Sequence, residues 1–184
     1  MPVANAAGCL LELGRRAEAE KEYRRALTLD PTQDEAAANL GRLLRERGQT
    51  EEASKVLDGA VAAGSHGEQL FEERGNALAD LGRLADALRD YRESARRNPL
   101  DPVPLENAAR AAYRLGKARE AAQLYERLLQ IQPNRLDAWK TAGAIYLELG
   151  DGEGATRCFR RAFTLEIDPA EKEKLAALIR ELGG

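Results

Sequence analysis

The chain has 184 residues, of which 43% are hydrophobic and 32% are charged, and its formal net charge is −3 with a pI of about 5.5. This composition is typical of a soluble, helix-rich protein and gives no overall attraction to nucleic acid or to an anionic membrane. No apolar run approaches the length that a membrane span needs. We therefore expect neither nucleic acid nor a membrane as a partner.

The first residues contain the segment "AAGC", which ends at Cys9 and is similar to a lipoprotein cleavage box. Neither a basic segment nor a long apolar stretch precedes it, so we interpret it as part of a helix. Cys9 and Cys158 lie far apart in the sequence and lack metal-ligand spacing, which predicts neither a disulfide framework nor a metal site. A reducing compartment is therefore expected, and with it a cytoplasmic location.

The chain repeats itself with a period of 34 residues. A small residue is followed seven positions later by a glycine, then by an alanine, then by a large apolar or aromatic residue. The small residues are Ala7, Gly41, Gly75, Ala109 and Gly143. The glycines are Gly14, Gly48, Gly82, Gly116 and Gly150. The large residues are Tyr23, Leu57, Tyr91, Tyr125 and Phe159.

Each period predicts two amphipathic helices joined by a turn in which the glycine adopts positive φ. The small residue allows two helices to approach closely, and the large residue is expected to fill the space between units. Four helix starts are predicted to be capped, by Thr32, Thr50, Asp101 and Asp168. A last amphipathic helix is expected after Pro169.

This pattern resembles the tetratricopeptide repeat family, whose unit reads W-x2-L-G-x2-Y, then A-x3-F, then P. The fifth unit matches most fully, with Trp139, Gly143 and Phe159, whereas Arg74 stands where the family has leucine. The resemblance implies an all-α fold, a right-handed α-solenoid of antiparallel helix pairs. It implies one array over residues 1–184, with repeats at about 1–33, 34–67, 68–101, 102–135 and 136–169 and a capping helix at 170–182. Whether the array begins bare or continues a longer protein stays open.

No catalytic constellation accompanies the repeats. His66 lies in the turn "GSHG" without a cysteine or carboxylate at a recognisable spacing. The glycine-rich segment "GDGEG", residues 150–154, lacks the preceding strand and the following Lys-Ser/Thr of a phosphate loop. We predict that the chain is not an enzyme and that it has no catalytic residue, cofactor or metal.

One register position on the first helix of each unit carries asparagine in three units, as Asn5, Asn39 and Asn107. Asparagine is a weak choice inside a helix, and its amide can pair with a peptide N–H and C=O together. The resemblance implies that the first helices line a concave groove. In the repeat domain of the O-linked N-acetylglucosamine transferases, which is related, such asparagines hold an extended peptide. Either these asparagines bind a peptide in the same way, or they reflect only the family consensus.

Positions further along the first helices carry the rest of the predicted peptide-binding site. They are Arg42, Arg45, Asn76, Arg110, Tyr113 and Arg114. Arginines in a groove suit carboxylates or phosphorylated side chains. The alternative is that they pair with glutamates at the rim, namely Glu35, Glu72 and Glu106.

A specialised subset of the family grips the C-terminal carboxylates of heat-shock chaperones with a set of Lys, Arg and Asn residues. Units three to five supply Asn76 and Asn107, but Glu72, Asp137 and Thr141 occupy the basic positions. We therefore do not expect that role.

The leading hypothesis is a protein–protein interaction module or scaffold that binds a partner peptide, acidic or extended, in the concave groove. One alternative is a structural scaffold that self-associates as a weak homo-oligomer. Another is a substrate-recruiting arm excised from a larger enzyme.

Overall fold

A computed structural model of the protein describes residues 3–183, with side chains from residue 6 onward. Within residues 3–183 the chain forms eleven α-helices, so the predicted all-α class is confirmed. None of these described helices is both long and apolar enough to span a bilayer. The helices are α1 (Val3–Glu12), α2 (Arg16–Leu29), α3 (Asp34–Glu46), α4 (Thr50–Ala63), α5 (Glu68–Asp80), α6 (Leu84–Arg97), α7 (Pro102–Arg114), α8 (Ala118–Ile131), α9 (Leu136–Glu148), α10 (Gly152–Leu165) and α11 (Pro169–Glu181).

The described helices group into two compact units: unit 1 contains α1 to α6, and unit 2, which begins at residue 100, contains α7 to α11. In unit 1, helices pack as the pairs α1–α2, α3–α4 and α5–α6, and α3 also packs against α5. In unit 2 the pairs are α7–α8 and α9–α10, and α11 packs against α10. Each pair is antiparallel because only a short turn joins its two helices. That residues 1–184 form one array with the predicted repeat boundaries stays a prediction.

The recurrent glycine ends the first helix of each pair, as predicted. These glycines have φ between 72° and 77°, in the left-handed region that a residue with a Cβ rarely adopts. The N–H of Gly48, for example, donates to the carbonyl of Arg45 at 2.9 Å. The glycine therefore satisfies part of the helix C-terminus while it reverses the chain.

The small residue of each period marks the point where two helices of a pair touch. A Cβ added to Gly41 would lie 2.6 Å from Cδ1 of Leu57, and one added to Gly143 would lie 2.6 Å from Cε1 of Phe159. These distances confirm the predicted close approach. Leu57 and Phe159 therefore contact the first helix of their own pair, and that the large residues also fill the space between units stays a prediction.

Two of the four predicted caps are confirmed. The side chain of Asp101 accepts the N–H of Val103, and that of Asp168 accepts the N–H of Ala170. The other two predictions are wrong. Thr32 precedes the cap position and donates its hydroxyl to Asp30 at 2.7 Å, which closes a turn before α3. Thr50 is already the first residue of α4 and cannot cap it.

Tyr23 and Tyr91 occupy the same register position in two different helix pairs, but their hydroxyl groups have different surroundings. The hydroxyl of Tyr91 donates to Oδ1 of Asn76 at 2.9 Å. The hydroxyl of Tyr23 is buried without a hydrogen-bond partner among the described residues, since Gly8 occupies the register position of Asn76. A buried, unsatisfied hydroxyl destabilises the folded state.

Phenylalanine at these two positions is therefore expected to act in opposite directions. Tyr23→Phe should raise the free energy of unfolding by about 1 kcal/mol, whereas Tyr91→Phe should lower it by about 1–2 kcal/mol because Oδ1 of Asn76 loses its donor. Urea denaturation followed by circular dichroism measures both. An equal loss of stability in the two variants would show that the Tyr23 hydroxyl does not destabilise the folded state.

The two cysteines are free thiols, Cys9 exposed and Cys158 buried. Burial raises the pKa of Cys158 to about 11, so its thiol stays protonated at neutral pH. A protonated, buried thiol is a poor nucleophile, and Cys158 contributes to packing.

Candidate functional site

The residues predicted to bind a partner all lie on the first helices of the pairs. The side chain of Asn5, on α1, lies outside the described residues. The others are Asn39, Arg42 and Arg45 on α3, Asn76 on α5, and Asn107, Arg110, Tyr113 and Arg114 on α7. We call the surface of α3 and α5 in unit 1, and that of α7 and α9 in unit 2, the first-helix face of the unit.

In unit 1 the predicted arginines are held by neighbouring side chains. Nη2 of Arg42 donates to Oδ1 of Asn39 at 2.6 Å. The amide oxygen of Asn39, which was expected to bind a peptide, therefore already accepts a hydrogen bond within the helix. Arg45 on α3 reaches across to α5, where it lies 3.3 Å from Glu73 and 3.4 Å from Asp80. These contacts join α3 to α5 and leave a pocket of only about 150 Å³ beside Asn39 and Arg42.

Asn76 belongs to the packing of its own helix pair. Its Oδ1 accepts the Tyr91 hydroxyl at 2.9 Å, and its Nδ2 donates to Oε2 of Glu73 at 3.4 Å. Both ends of this amide are therefore bonded within unit 1. A peptide would have to displace these bonds before it could pair with Asn76.

Unit 2 contains a cavity of about 550 Å³ between α7 and α9. Small-ligand sites have volumes of about 300–1,000 Å³, so the cavity is large enough for side chains of a partner. Its lining comprises Arg110, Tyr113 and Arg114 of α7, Tyr125 of α8, and Lys140, Thr141, Ala144 and Ile145 of α9. The structure thus brings three of the predicted residues together around one cavity.

The interior of the cavity is apolar, and the residues that α9 presents at its opening have short side chains. Tyr125 and Ile145 are buried, and burial raises the pKa of the Tyr125 hydroxyl. Ala144 and Thr141 are short and exposed. At the register positions of these two residues, α5 carries Asn76 and Glu73. The same part of the repeat is therefore filled by bonded polar groups in unit 1 and left open in unit 2.

Tyr113 stands at the edge of the cavity with 45% of its surface exposed. Its hydroxyl donates to Oε2 of Glu148 at 2.7 Å, and this hydrogen bond, together with the charge of Glu148, raises the pKa of Tyr113. Leu147, next to Glu148, is 42% exposed. An exposed aromatic ring whose hydroxyl is held by a hydrogen bond is typical of a contact surface.

The cations of the cavity differ in their partners. Lys140 lies 2.5 Å from Glu166 and 3.6 Å from Glu171, so two carboxylates already neutralise it. Its hydrogen bond is the main reason that the pKa of Glu166 is lowered. Arg110 and Arg114, by contrast, are exposed, and no ion pair or hydrogen bond links either of them to another side chain in the described part of the chain.

The rim glutamates do not supply the missing pairs. Glu106, which the sequence offered as a partner for the arginines, lies 3.1 Å from Arg135 instead. The two readings of the groove arginines therefore apply to different units. Internal pairing describes Arg45 of unit 1, whereas Arg110 and Arg114 of unit 2 keep their charges available to a partner.

The predicted binding residues did not include the other five lining residues, which are Tyr125, Lys140, Thr141, Ala144 and Ile145. Tyr125 was assigned to packing, which it also performs. The repeat register could have identified Lys140, because it occupies the position of Glu72 and Glu106, which were placed at the rim.

Comparison with protein families identifies the class of protein. One family model, described as tetratricopeptide repeat, matches residues 10–69 and 112–165, and a second with the same description matches residues 72–135. The chain therefore belongs to the tetratricopeptide repeat (TPR) family. This family is a protein-interaction fold.

The chain shares less than a third of its aligned residues with each of two individual relatives. The chain is 29% identical over 158 residues to Cellulose synthase operon protein C of Pseudomonas fluorescens, covering 81% of this chain and 12% of that protein. It is 29% identical over 108 residues to Hsp70-Hsp90 organizing protein 2 of Arabidopsis thaliana, covering 59% of this chain and 19% of that protein. It thus spans less than a fifth of the length of either relative.

Two solved structures share the fold. YrrB, described as a TPR protein with an unusual peptide-binding site, has a TM-score of 0.78 and 23% identity, covering 98% of this chain and 91% of that one. MamA has a TM-score of 0.74 and 20% identity, covering 93% of this chain and 96% of that one. At these identities the similarity establishes the fold alone.

Proposed function

We propose that the chain is a protein-interaction module that binds a segment of a partner protein on its first-helix face and catalyses no reaction. One observation carries this proposal. The cavity between α7 and α9 combines buried apolar side chains, an exposed and positioned Tyr113, and two guanidinium groups that no described carboxylate neutralises. Ligand sites combine apolar walls with a few polar groups in the same way.

The helices that line the cavity favour binding for a further reason. Arg110, Tyr113 and Thr141 project from regular helices, and the ring of Tyr113 is held by its bond to Glu148. A surface that is already ordered loses little conformational entropy when a partner binds. A short segment can therefore bind without the large area that two folded proteins need.

The comparisons support an interaction role and leave the partner open. The Arabidopsis relative is named for organizing Hsp70 and Hsp90, and YrrB is described as having a peptide-binding site. Glu72, Asp137 and Thr141 stand in this chain where the chaperone-binding subset needs basic residues. We propose a partner of another kind.

A phage-displayed library of random peptides, selected against the full chain, tests the proposal. The double variant Asn39→Glu/Thr141→Glu introduces the residue that Glu73 already supplies at this register position, so the fold should tolerate it. We expect the selected peptides to bind this variant about tenfold or more weakly, as measured by fluorescence anisotropy, because contacts near the centre of a site dominate affinity.

The control is the double variant Ala62→Glu/Gln123→Glu, which adds the same charge at exposed positions of α4 and α8. It should bind the peptides as the unaltered chain does. Failure to select any peptide, or equal weakening in both variants, would contradict binding on the first-helix face. Sedimentation at several protein concentrations separates the self-association alternative, which requires a species larger than a monomer.

A further inference from the structure

We propose that the cavity between α7 and α9 is the principal anchoring site of the first-helix face, and that it takes an apolar side chain flanked by carboxylates in an internal segment of a partner. This inference rests on the proposed function and names the chemistry of the segment. It assigns recognition to unit 2 rather than to the two units equally.

The apolar part of the assignment follows from the lining. Tyr125 and Ile145 supply a buried surface at the base of the cavity, and the ring of Tyr113 forms one side. Ala144 leaves the approach from α9 unobstructed. An apolar side chain that enters this space removes its own surface and that of the lining from water, which is the main driving force for binding.

The acidic part follows from the unpaired cations. Arg110 and Arg114 are four residues apart on α7, so their guanidinium groups are neighbours on the helix and repel each other. A carboxylate between or beside them would relieve this repulsion and form charge-assisted hydrogen bonds. The contribution is local, because the chain as a whole carries a net charge of −3 and does not attract polyanions over long distances.

The rim also contains carboxylates. Glu148 holds Tyr113 at 2.7 Å, and Glu166 and Glu171 hold Lys140, so three carboxylates lie close to the lining residues. A dianionic phosphate would be attracted more strongly than a single carboxylate by Arg110 and Arg114, but it would also be repelled more strongly by these three groups. We assign the anionic groups to Asp or Glu side chains, and a phosphoserine peptide tests this assignment.

Unit 1 lacks the same combination. At the register position of Arg110 it carries Arg42, which is bonded to Asn39, and Asn76, which is bonded to Tyr91 and Glu73. At the register position of Arg114 it carries Asp80, which pairs with Arg45. These groups of its first-helix face are thus engaged in contacts within the unit, and the pocket beside Asn39 and Arg42 measures about 150 Å³, against about 550 Å³ for the cavity between α7 and α9.

A fluorescein-labelled, end-capped peptide with one phenylalanine between two glutamates is the probe. Two matched peptides replace both glutamates with glutamine, or the phenylalanine with serine. We expect anisotropy titrations of the full chain to give about tenfold weaker binding for each matched peptide, the change that a loss of about 1.4 kcal/mol produces. The double variant Arg110→Gln/Arg114→Gln should bind the glutamate and glutamine peptides equally.

The matched control variant is Arg119→Gln/Arg127→Gln, which removes two cations from exposed positions of α8 and should leave binding of the probe unchanged. Equal binding of the glutamate and glutamine peptides to the unaltered chain would overturn the inference, as would an effect of this control variant as large as that of Arg110→Gln/Arg114→Gln. Tighter binding of a peptide with phosphoserine in place of glutamate would overturn the carboxylate assignment. If library peptides still bind the first-helix face in any of these cases, the proposed function stands and only this inference fails.

Discussion

Replacing Arg74 with leucine is expected to lower the free energy of unfolding by about 3–5 kcal/mol, the cost of breaking a buried ion pair from one side. Nε of Arg74 lies 2.6 Å from Oδ2 of Asp90, and Nη2 lies 2.7 Å from Oδ1, so the carboxylate is bound at both oxygens. Asp90 is only 5% exposed. Leucine would fit the family pattern at this position and yet leave a buried charge without a partner.

The double variant Arg74→Leu/Asp90→Val provides the control. One period earlier in the chain, the same two positions carry Leu40, which belongs to the apolar core of unit 1, and Val56, which is partly buried against that core. Replacing both members of a buried pair by apolar residues of suitable size is often neutral or stabilising. Urea denaturation at neutral pH should therefore show the double variant close to the unaltered chain. A double variant as unstable as the single one would contradict this explanation.

Valine at Gly41 is expected to lower the free energy of unfolding by about 1–3 kcal/mol, the usual cost of overpacking a core. Even a single added Cβ would lie 2.6 Å from Leu57, which is fully buried and cannot turn aside into solvent. Two other units carry alanine at the register position of Gly41, namely Ala7 and Ala109, so a helix pair can accommodate one methyl group there. Valine adds two further methyl groups, for which the contact with Leu57 leaves no space.

Gly59→Ala is the matched control on the facing helix α4. Nothing lies within 4 Å of a Cβ added to Gly59, and its φ is not in the left-handed region. Alanine at an open helix position should raise the free energy of unfolding by about 1 kcal/mol relative to glycine. Thermal unfolding of both variants gives the comparison. A loss of stability in Gly59→Ala equal to that in Gly41→Val would refute the role given to close approach.

The fold was predictable from the sequence because its requirements act on single positions. A turn that needs positive φ selects glycine, and this selection recurs at Gly14, Gly48 and the later turns. A close helix contact selects a small residue, as at Gly41. Caps were less predictable, because Thr32 and Asp30 offer alternative local hydrogen bonds whose choice depends on where α3 begins.

The site was predictable only in part, because ion pairing depends on distances between helices. Arg45 and Arg110 share a helix face and a residue type, although Arg45 lies three positions further along its helix in the repeat register. Arg45 finds Glu73 and Asp80 on the neighbouring helix. The register equivalents of these two acids in unit 2 are Thr141, which carries no charge, and Glu148, which is bonded to Tyr113. The register identifies the face on which a partner segment is expected, and only the packing distinguishes the open unit from the closed one.

The most direct test of binding at the unit 2 cavity is an NMR titration of the isotope-labelled full chain with the phenylalanine–glutamate probe peptide. We expect the largest backbone amide shift changes in two segments, residues 110–114 of α7 and residues 140–145 of α9, with the amides of α3 and α5 nearly unchanged. Shift changes concentrated on α3 and α5, or on α8 and α10, would contradict binding at this cavity.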